Sequence, residues 1–149
     1  MAETLRWSAD GLELLDQTLL PNKVRYVRCT SADEVSNAIK SMVVRGAPAI
    51  GVAAAYGVAC EAIRLVGLPD EEFRRQLSHA CARLAASRPT AVNLVWAINH
   101  MRAVIRTMDH QPPPEVAQQL VIAALQLHQQ DVRSEEHTSE LQSRFGISY

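Results

Sequence analysis

Two arginines, Arg45 and Arg88, each stand just before a proline and a helix-forming segment. Around the first, the chain reads Arg45-Gly46-Ala47-Pro48 and continues into a run rich in Ala and Gly. A glycine lets the chain bend sharply, and a proline suits the first helical turn, where its missing N–H is not needed. The free N–H groups of that turn carry partial positive charge, and an arginine adds a planar fork of donors. This combination predicts an anion site that suits phosphate or carboxylate.

The second segment, Ser87-Arg88-Pro89-Thr90-Ala91, has the same build, and a helical pattern follows it. We call residues 44–48 the first elbow and residues 87–91 the second elbow. A simpler interpretation accounts for either elbow taken alone, since an arginine at the solvent end of a buried, Ala-rich helix is common. Spacing alone favours that plain helix. Two elbows in one chain favour a shared site.

No other chemistry-bearing residue type shows a comparable pattern. The chain has three cysteines, Cys29, Cys60 and Cys81, and an odd number without CxxC spacing argues against both a disulfide framework and a zinc site. Cys60 and Cys81 lie in helical patterns among apolar residues, which is typical of core positions. His100 and His110 have no partner at ligand spacing. We therefore predict no metal site and no reactive thiol.

The composition limits the classes of partner. The chain has 149 residues, 48% of them hydrophobic and 21% charged, and a formal net charge of -1. That balance predicts one domain with a real core, and it gives no reason to expect a nucleic acid or an anionic membrane as partner. No apolar run is long and uncharged enough to predict a membrane span, and the first residues lack a signal-peptide layout. We expect a cytoplasmic protein.

The N-terminal region is predicted to form strands and the rest to form helices. Residues 24–29 alternate apolar and cationic side chains, as a half-buried strand does, and residues 5–29 as a whole suggest an antiparallel hairpin or meander. Ser31 and Glu34 form a capping box before the first helix. Four later helices are predicted. The first runs from about Pro48 to near Gly67, and the second begins at Asp70. The third follows the second elbow, and the fourth runs from Glu115 to about Val132. The predicted fold class is α+β, a small N-terminal antiparallel sheet followed by a bundle of about five helices.

The end of the chain changes character at Arg133. Residues 133–143 resemble the conceptual translation of a widely used sequencing-library adapter, and they are polar without a core face. An ordinary polar tail is the alternative. We therefore expect two parts, a natural domain over residues 1–132 and a non-native read-through tail over residues 133–149 that contributes nothing to the fold or the function.

The two elbows together resemble those of the methylthioribose-1-phosphate isomerases, in the translation initiation factor 2B alpha/beta/delta-like superfamily. The matching segments are residues 44–51, 53–57 and 87–94, and the run Leu14–Pro21 fits the opening strand of the same family. The resemblance covers essentially residues 5–132. Similar elbows occur in ribose-1,5-bisphosphate isomerase and in regulatory subunits of the initiation factor 2B exchange factor, but the combination of Leu-Asp-Gln, Arg-Gly-Ala-Pro and Arg-Pro-Thr-Ala-Val-Asn-Leu favours the first family.

This resemblance implies an aldose–ketose isomerase of methionine salvage, an intramolecular oxidoreductase that converts 5-methylthioribose 1-phosphate to 5-methylthioribulose 1-phosphate without cofactor or metal. It implies substrate-binding positions at Arg45, Gly46, Ala47 and Arg88. Two guanidinium forks and a helix N-terminus suit a sugar phosphate, because they can hold and orient it.

The same resemblance implies that the catalytic Cys and Asp lie in a larger, Rossmann-like C-terminal domain that is missing here. None of the three cysteines stands in the family's Thr-x-Cys-Asn-type context, so no catalytic residue is expected in this chain. The chain alone is expected to be inactive, and the full-length form is expected to be a homodimer formed largely through the missing domain. Two alternatives remain: a regulatory or ligand-sensing subunit related to the exchange factor, and a helical interaction domain in which both arginines only cap helices.

Overall fold

The computed structural model describes the backbone of residues 4–145 and the side chains of residues 4–131. Within that range a three-stranded antiparallel sheet is followed by five α-helices, which confirms the predicted α+β class. The elements are β1 (Leu5–Ser8), β2 (Gly11–Leu15), a 3₁₀ turn (Gln17–Leu19), β3 (Tyr26–Cys29), α1 (Ala32–Lys40), α2 (Ala47–Leu65), α3 (Asp70–Ala86), α4 (Val92–Thr107) and α5 (Pro113–Phe145).

The sheet is a meander of order β1-β2-β3, in which Leu5 pairs with Leu14 and Leu12 pairs with Cys29. These four apolar residues are buried, so one face of the sheet covers the helices. Gly11 makes the tight entry to β2 possible: its φ is +125°, and an added Cβ would lie 2.8 Å from the carbonyl oxygen of Cys29. The last strand is shorter than its alternating pattern predicts.

Helix α2 is the centre of the fold, since it packs against every other helix and against β2. Fourteen of its residues are buried, beginning at Ile50, and all of them except Tyr56 and Glu61 are small or aliphatic. The expectation that no segment is apolar enough to span a membrane is wrong on length and composition, because α2 meets both criteria. However, 78% of that apolar window is buried inside the protein, as in a core helix.

Tyr56 connects α2 to the sheet through a ring stack and to α5 through a hydrogen bond. Its ring stacks on Trp7 with the centroids 5.1 Å apart, and its hydroxyl lies 2.6 Å from Nδ1 of His128. Burial raises the pKa of Tyr56 well above its usual value. The residue therefore stays neutral and acts as a hydrogen-bonding part of the core.

Apolar residues that recur with the helical period predict an inward face for α3 and for α5, and the structure confirms both. On α5 the predicted residues are all buried: Val116, Leu120, Ala123, Ala124 and Leu127. The residues expected to face inward on α3, which recur every three or four positions, are all buried: Phe73, Leu77, Ala80, Cys81 and Leu84. One half of the predicted capping box before α1 is present, because the Ser31 hydroxyl accepts from the Glu34 N–H at 3.2 Å. The Glu34 carboxylate returns to the N–H of Thr30 rather than to that of Ser31.

Helix α5 is longer than predicted. It begins at Pro113, where a proline fits the first turn, and continues to Phe145 rather than ending at about Val132. The change to polar sequence removes the core face without introducing a glycine or a proline before Gly146, so nothing in residues 133–145 interrupts a helix. The division of the chain at Val132 stays a prediction.

A network of charges joins α1, α2 and α3. The Glu61 carboxylate is 2% exposed and accepts from Arg64 at 2.8 and 3.0 Å and from the Ala32 N–H at 3.3 Å. Arg83 lies 3.6 Å from the same carboxylate and 2.7 Å from Asp33. Burial alone would raise the pKa of Glu61, but the hydrogen bonds and the two cations together hold it below its ordinary value. Glu61 is therefore a charged residue of the core.

The sequence pattern of α3 places Arg74 beside Arg75 on a solvated face, and for Arg74 this prediction is wrong. Its side chain is only 20% exposed, and its guanidinium donates to the carbonyl oxygens of Met108 at 2.7 Å and Gln111 at 3.0 Å. Met108 is the C-cap residue of α4, and Gln111 lies in the linker that follows, where its N–H donates to the Met108 carbonyl at 3.0 Å. Arg74 therefore joins α3 to the end of α4.

Replacing Arg74 with alanine is expected to lower the free energy of unfolding by about 1–2 kcal/mol, because two carbonyls lose a charged donor. Arg75→Ala is the matched control: Arg75 is an exposed neighbour paired with Glu72. Its loss is expected to change stability by less than about 0.5 kcal/mol. Urea unfolding of both variants measures the difference, and equal effects would contradict the capping role.

Candidate anion site at the two elbows

The first elbow begins where α1 ends. The N–H of Val43 bonds to the carbonyl of Ala38 at 3.0 Å, and the N–H of Met42 bonds to that of Ile39 at 3.3 Å, which is the pattern of a Schellman motif. Met42 occupies the left-handed position with φ of +67°, where glycine is usual. A left-handed conformation costs a non-glycine residue about 1–2 kcal/mol. The left-handed conformation of Met42 ends α1 and turns the backbone towards Arg45.

Gly46 gives the first elbow its second sharp bend. Its φ is +93°, and nothing lies within 4 Å of the position that a Cβ would take. The glycine is therefore needed for its backbone conformation and not for lack of space. It is the N-cap residue of α2, it provides no side-chain cap, and no acidic residue stands in the first turn. The N-terminal end of α2 thus keeps its positive partial charge.

An open cleft of about 480 Å³ lies at this helix end. It is lined by Thr4, Gln17, Arg45, Gly46, Pro48 and Ala49. The Arg45 side chain is exposed, and within residues 4–131 it makes no hydrogen bond or ion pair. A cation without a carboxylate partner beside a helix N-terminus makes the cleft attractive to anions.

The second elbow turns back on itself through a bond from the N–H of Ala91 to the carbonyl of Arg88 at 3.0 Å. Helix α4 then begins, again without a side-chain cap and without an acidic residue in its first turn. Nη1 of Arg88 lies 3.3 Å from Sδ of Met42. Among the described residues, Arg88 has no carboxylate partner either.

The packing of α2 on α4 brings the two elbows together. A Cβ added to Gly51 would lie 3.0 Å from the carbonyl oxygen of Asn93, so the first turns of the two helices approach backbone to backbone. Arg88 also contacts Met42, three positions before Arg45. Of the four predicted binding residues, Arg45 and Gly46 line the cleft and Ala47 lies between them and Pro48. Arg88 does not line the cleft and reaches Met42, two residues before the first elbow.

The three thiols lie outside this site and are poor nucleophiles. Cys29, Cys60 and Cys81 are all buried. Burial, and then the charge of Glu34, raises the pKa of Cys29 to about 11, and burial first of all raises that of Cys60 to about 12. A reactive cysteine has a lowered pKa. No cluster of three potential metal ligands occurs among the described residues.

Sequence reasoning missed the contribution of Gln17 and Thr4 to the cleft. Gln17 lies in the run that resembles the family's opening strand, but it forms a short 3₁₀ turn there instead. The signal that could have found it is the preceding Asp16, a residue type that often caps such turns.

Comparison with known families places these elbows in context. The model of the initiation factor 2 subunit family matches residues 43–145, which include both elbows and helices α2 to α5. This chain belongs to the initiation factor 2 subunit family. The resemblance carried by the two elbows is thereby confirmed at the level of the family.

Curated relatives of this member of the initiation factor 2 subunit family include sugar-phosphate isomerases. The methylthioribose-1-phosphate isomerase of Albidiferax ferrireducens is 49% identical over 131 residues, which are 88% of this chain and 37% of that protein. The 5-deoxyribose 1-phosphate isomerase of Bacillus anthracis is 45% identical over 127 residues, 85% of this chain and 37% of that protein. The chain thus spans little more than a third of the length of these relatives.

Two solved structures share the fold of this family member. The 5-methylthioribose 1-phosphate isomerase of Pyrococcus horikoshii OT3 superposes with a TM-score of 0.79 at 32% identity, covering 89% of this chain and 37% of that one. The delta subunit of translation initiation factor eIF-2B from A. fulgidus superposes with a TM-score of 0.78 at 35% identity, covering 89% and 38%. Structural similarity alone therefore does not separate an isomerase from a translation factor.

Proposed function

We propose that this chain is the N-terminal, substrate-contacting part of a cytoplasmic methylthioribose-1-phosphate isomerase of methionine salvage. The observation that carries the proposal is the pair of arginine elbows, without carboxylate partners among the described residues, held at one end of the fold by the approach of Gly51 to Asn93. The 49% identity to an isomerase over 88% of the chain supports it.

In this proposal the first elbow binds the phosphate. The Arg45 guanidinium donates two parallel hydrogen bonds, and the N–H groups of Gly46 and Ala47 at the start of α2 donate more. Arg88 supplies a second fork from the other elbow. Together these donors fix the orientation of the sugar, which is the contribution that a binding half makes to an isomerisation. The proton transfer itself belongs to acid and base groups outside residues 1–132.

The chain of residues 1–149 is expected to bind methylthioribose 1-phosphate and to convert none of it. Binding is measured by nuclear magnetic resonance titration, and turnover by following the ketose product against a buffer blank. Isomerisation above the blank would overturn the assignment of the catalytic groups to a missing part. Absence of binding at millimolar ligand would overturn the binding proposal itself.

The name of one relative raises a second substrate for the same site, 5-deoxyribose 1-phosphate. The two sugar phosphates share the phosphate and ring hydroxyls and differ in the methylthio group at carbon 5. A parallel titration with both compounds separates them: tighter binding of the methylthio compound supports the proposal, and tighter binding of the deoxy compound favours the alternative.

A regulatory subunit is the second candidate function, and the superposition on the A. fulgidus translation factor subunit favours it specifically. In that case the elbows sense a ligand or stabilise the fold. The sequence that continues after Val132 in the source genome discriminates the two, because the resemblance to the isomerases implies a catalytic Cys and Asp there.

A further inference from the structure

We propose that Gln17 is a specificity-determining residue of the cleft, whose side-chain amide hydrogen-bonds a hydroxyl group of the sugar while Arg45 holds the phosphate. This inference rests on the proposed function, since it assumes that the cleft takes a sugar phosphate. It concerns a residue outside both elbows, on the segment that joins β2 to β3.

The backbone of Gln17 is fixed against the first elbow. Its N–H donates to the carbonyl of Val43 at 2.9 Å, two positions before Arg45. On its other side, the Asp16 carboxylate accepts from the N–H of Thr18 at 2.9 Å and from the Thr18 hydroxyl at 2.6 Å. The N–H of Asp16 donates to the carbonyl of Arg25 at 2.8 Å. The 3₁₀ turn is therefore held rigidly beside the cleft, and replacing the Gln17 side chain removes none of these bonds.

The side chain of Gln17 is available to a ligand. It is half-buried and lines the cleft together with Arg45 and Gly46. Within the described part of the chain, its amide oxygen and nitrogen make no hydrogen bond. The carboxylate of Asp16, which could have paired with a ligand cation, is already occupied by Thr18. The polar side chains that line the cleft on this side, Gln17 and Thr4, are therefore neutral.

The chemistry of the two side chains assigns their partners. The Arg45 guanidinium only donates hydrogen bonds and carries a charge, so it matches a phosphate. The Gln17 amide has two donors and one acceptor, and a sugar hydroxyl both donates and accepts. A cleft of about 480 Å³ has room for a pentose phosphate between the two walls. Gln17 therefore adds selectivity for a hydroxylated phosphate ester over phosphate alone.

The test compares two probes, methylthioribose 1-phosphate and inorganic phosphate, by nuclear magnetic resonance titration of residues 1–149. Gln17→Ala is expected to weaken binding of the sugar phosphate by about 3- to 10-fold and to leave binding of inorganic phosphate unchanged. Gln118→Ala, an exposed glutamine on α5, is the matched control and is expected to change neither. Gln17→Met keeps the length of the side chain without its hydrogen bonds, so it gives the same answer if the alanine variant does not fold.

The outcomes separate this inference from the function on which it rests. If the unsubstituted chain binds the sugar phosphate and the Gln17 variants bind it equally well, the inference is wrong and the proposed function stands. If the variants weaken both probes equally, Gln17 only supports the fold of the elbow and the inference is wrong. If the unsubstituted chain binds the sugar phosphate no better than inorganic phosphate, the inference and the proposed substrate both fail.

Discussion

Replacing Arg45 with alanine is expected to weaken binding of methylthioribose 1-phosphate by about 10- to 150-fold, equivalent to about 1.5–3 kcal/mol for a charge-assisted pair with phosphate. The physical reason is that Arg45 lines the cleft and has no partner among the described residues, so its whole donor fork is available. Removing it leaves the phosphate with the weaker field of the helix N-terminus. Titration calorimetry on residues 1–149 gives the Kd.

Arg88→Ala is expected to weaken binding over the same range, and Arg88→Lys less, because an ammonium keeps the charge but loses the two-pronged geometry. Arg75→Ala is the control, since that exposed arginine on α3 pairs with Glu72, away from both elbows. Kd values within about twofold of the original for both the Arg45 and Arg88 variants would show that these arginines only terminate helices.

The combined substitution of Arg64 and Arg83 by alanine is expected to lower the free energy of unfolding by about 3–5 kcal/mol at neutral pH, because it leaves a buried carboxylate without a cation. Glu61 is 2% exposed, and after both changes it keeps only the Ala32 N–H among its described partners. Removing Glu61 itself is expected to cost less, since Arg64 and Arg83 are 53% and 45% exposed and can turn to water. Urea unfolding measures all three variants.

The pKa of Glu61 determines how the stability difference caused by the Arg64 and Arg83 substitutions changes with pH. In the unsubstituted chain the pKa of Glu61 lies below its ordinary value, chiefly because of the hydrogen bonds from Arg64 and Ala32, so its charged form stabilises the fold at neutral pH and the stabilisation is lost as the pH falls through the folded-state pKa. In the double variant burial dominates and raises that pKa. The stability difference between the two proteins should therefore be full at neutral pH, begin to narrow as the pH falls through the raised pKa of the variant, and disappear below the lowered pKa of the unsubstituted chain.

A double change of Arg75 and Arg106 to alanine removes the same number of positive charges from exposed positions of α3 and α4. It is expected to change stability by less than about 1 kcal/mol, with no narrowing at low pH. An effect of the Arg64 and Arg83 variant that stays the same from neutral to acidic pH would contradict the role of the buried carboxylate.

Much of the helical part of the fold follows from local patterns in the sequence. The inward faces of α3 and α5 are set by apolar residues that recur with the helical period, and this is why Phe73, Leu77 and Leu120 are buried as predicted. Ser31 caps α1 because its hydroxyl only has to reach the first turn that follows it. These interactions lie within a few residues of one another, so a single sequence is enough to predict them.

The features that the sequence does not reveal depend on residues far apart in the chain. Arg74 resembles its neighbour Arg75 in the sequence, and only the position of Met108 and Gln111 in the fold makes it a cap. Gln17 lies beside Arg45 because of one backbone bond to Val43. Met42 adopts a left-handed conformation for which its residue type gives no signal. The two elbows could be predicted from the sequence, but the contribution of Gln17 to the cleft beside the first elbow could not.

The close approach of Gly51 to Asn93 has a thermodynamic consequence for any ligand held by both elbows. The contact is between main chains in the first turns of two packed helices, so the separation of the elbows does not depend on side-chain rotamers. The entropy lost in bringing the elbows together is lost when the chain folds, so it does not oppose ligand binding. Ligand binding should therefore be nearly rigid-body, with only the two guanidinium groups left to order. A larger residue at position 51 would weaken the affinity for the ligand by separating the elbows, even though it touches no ligand.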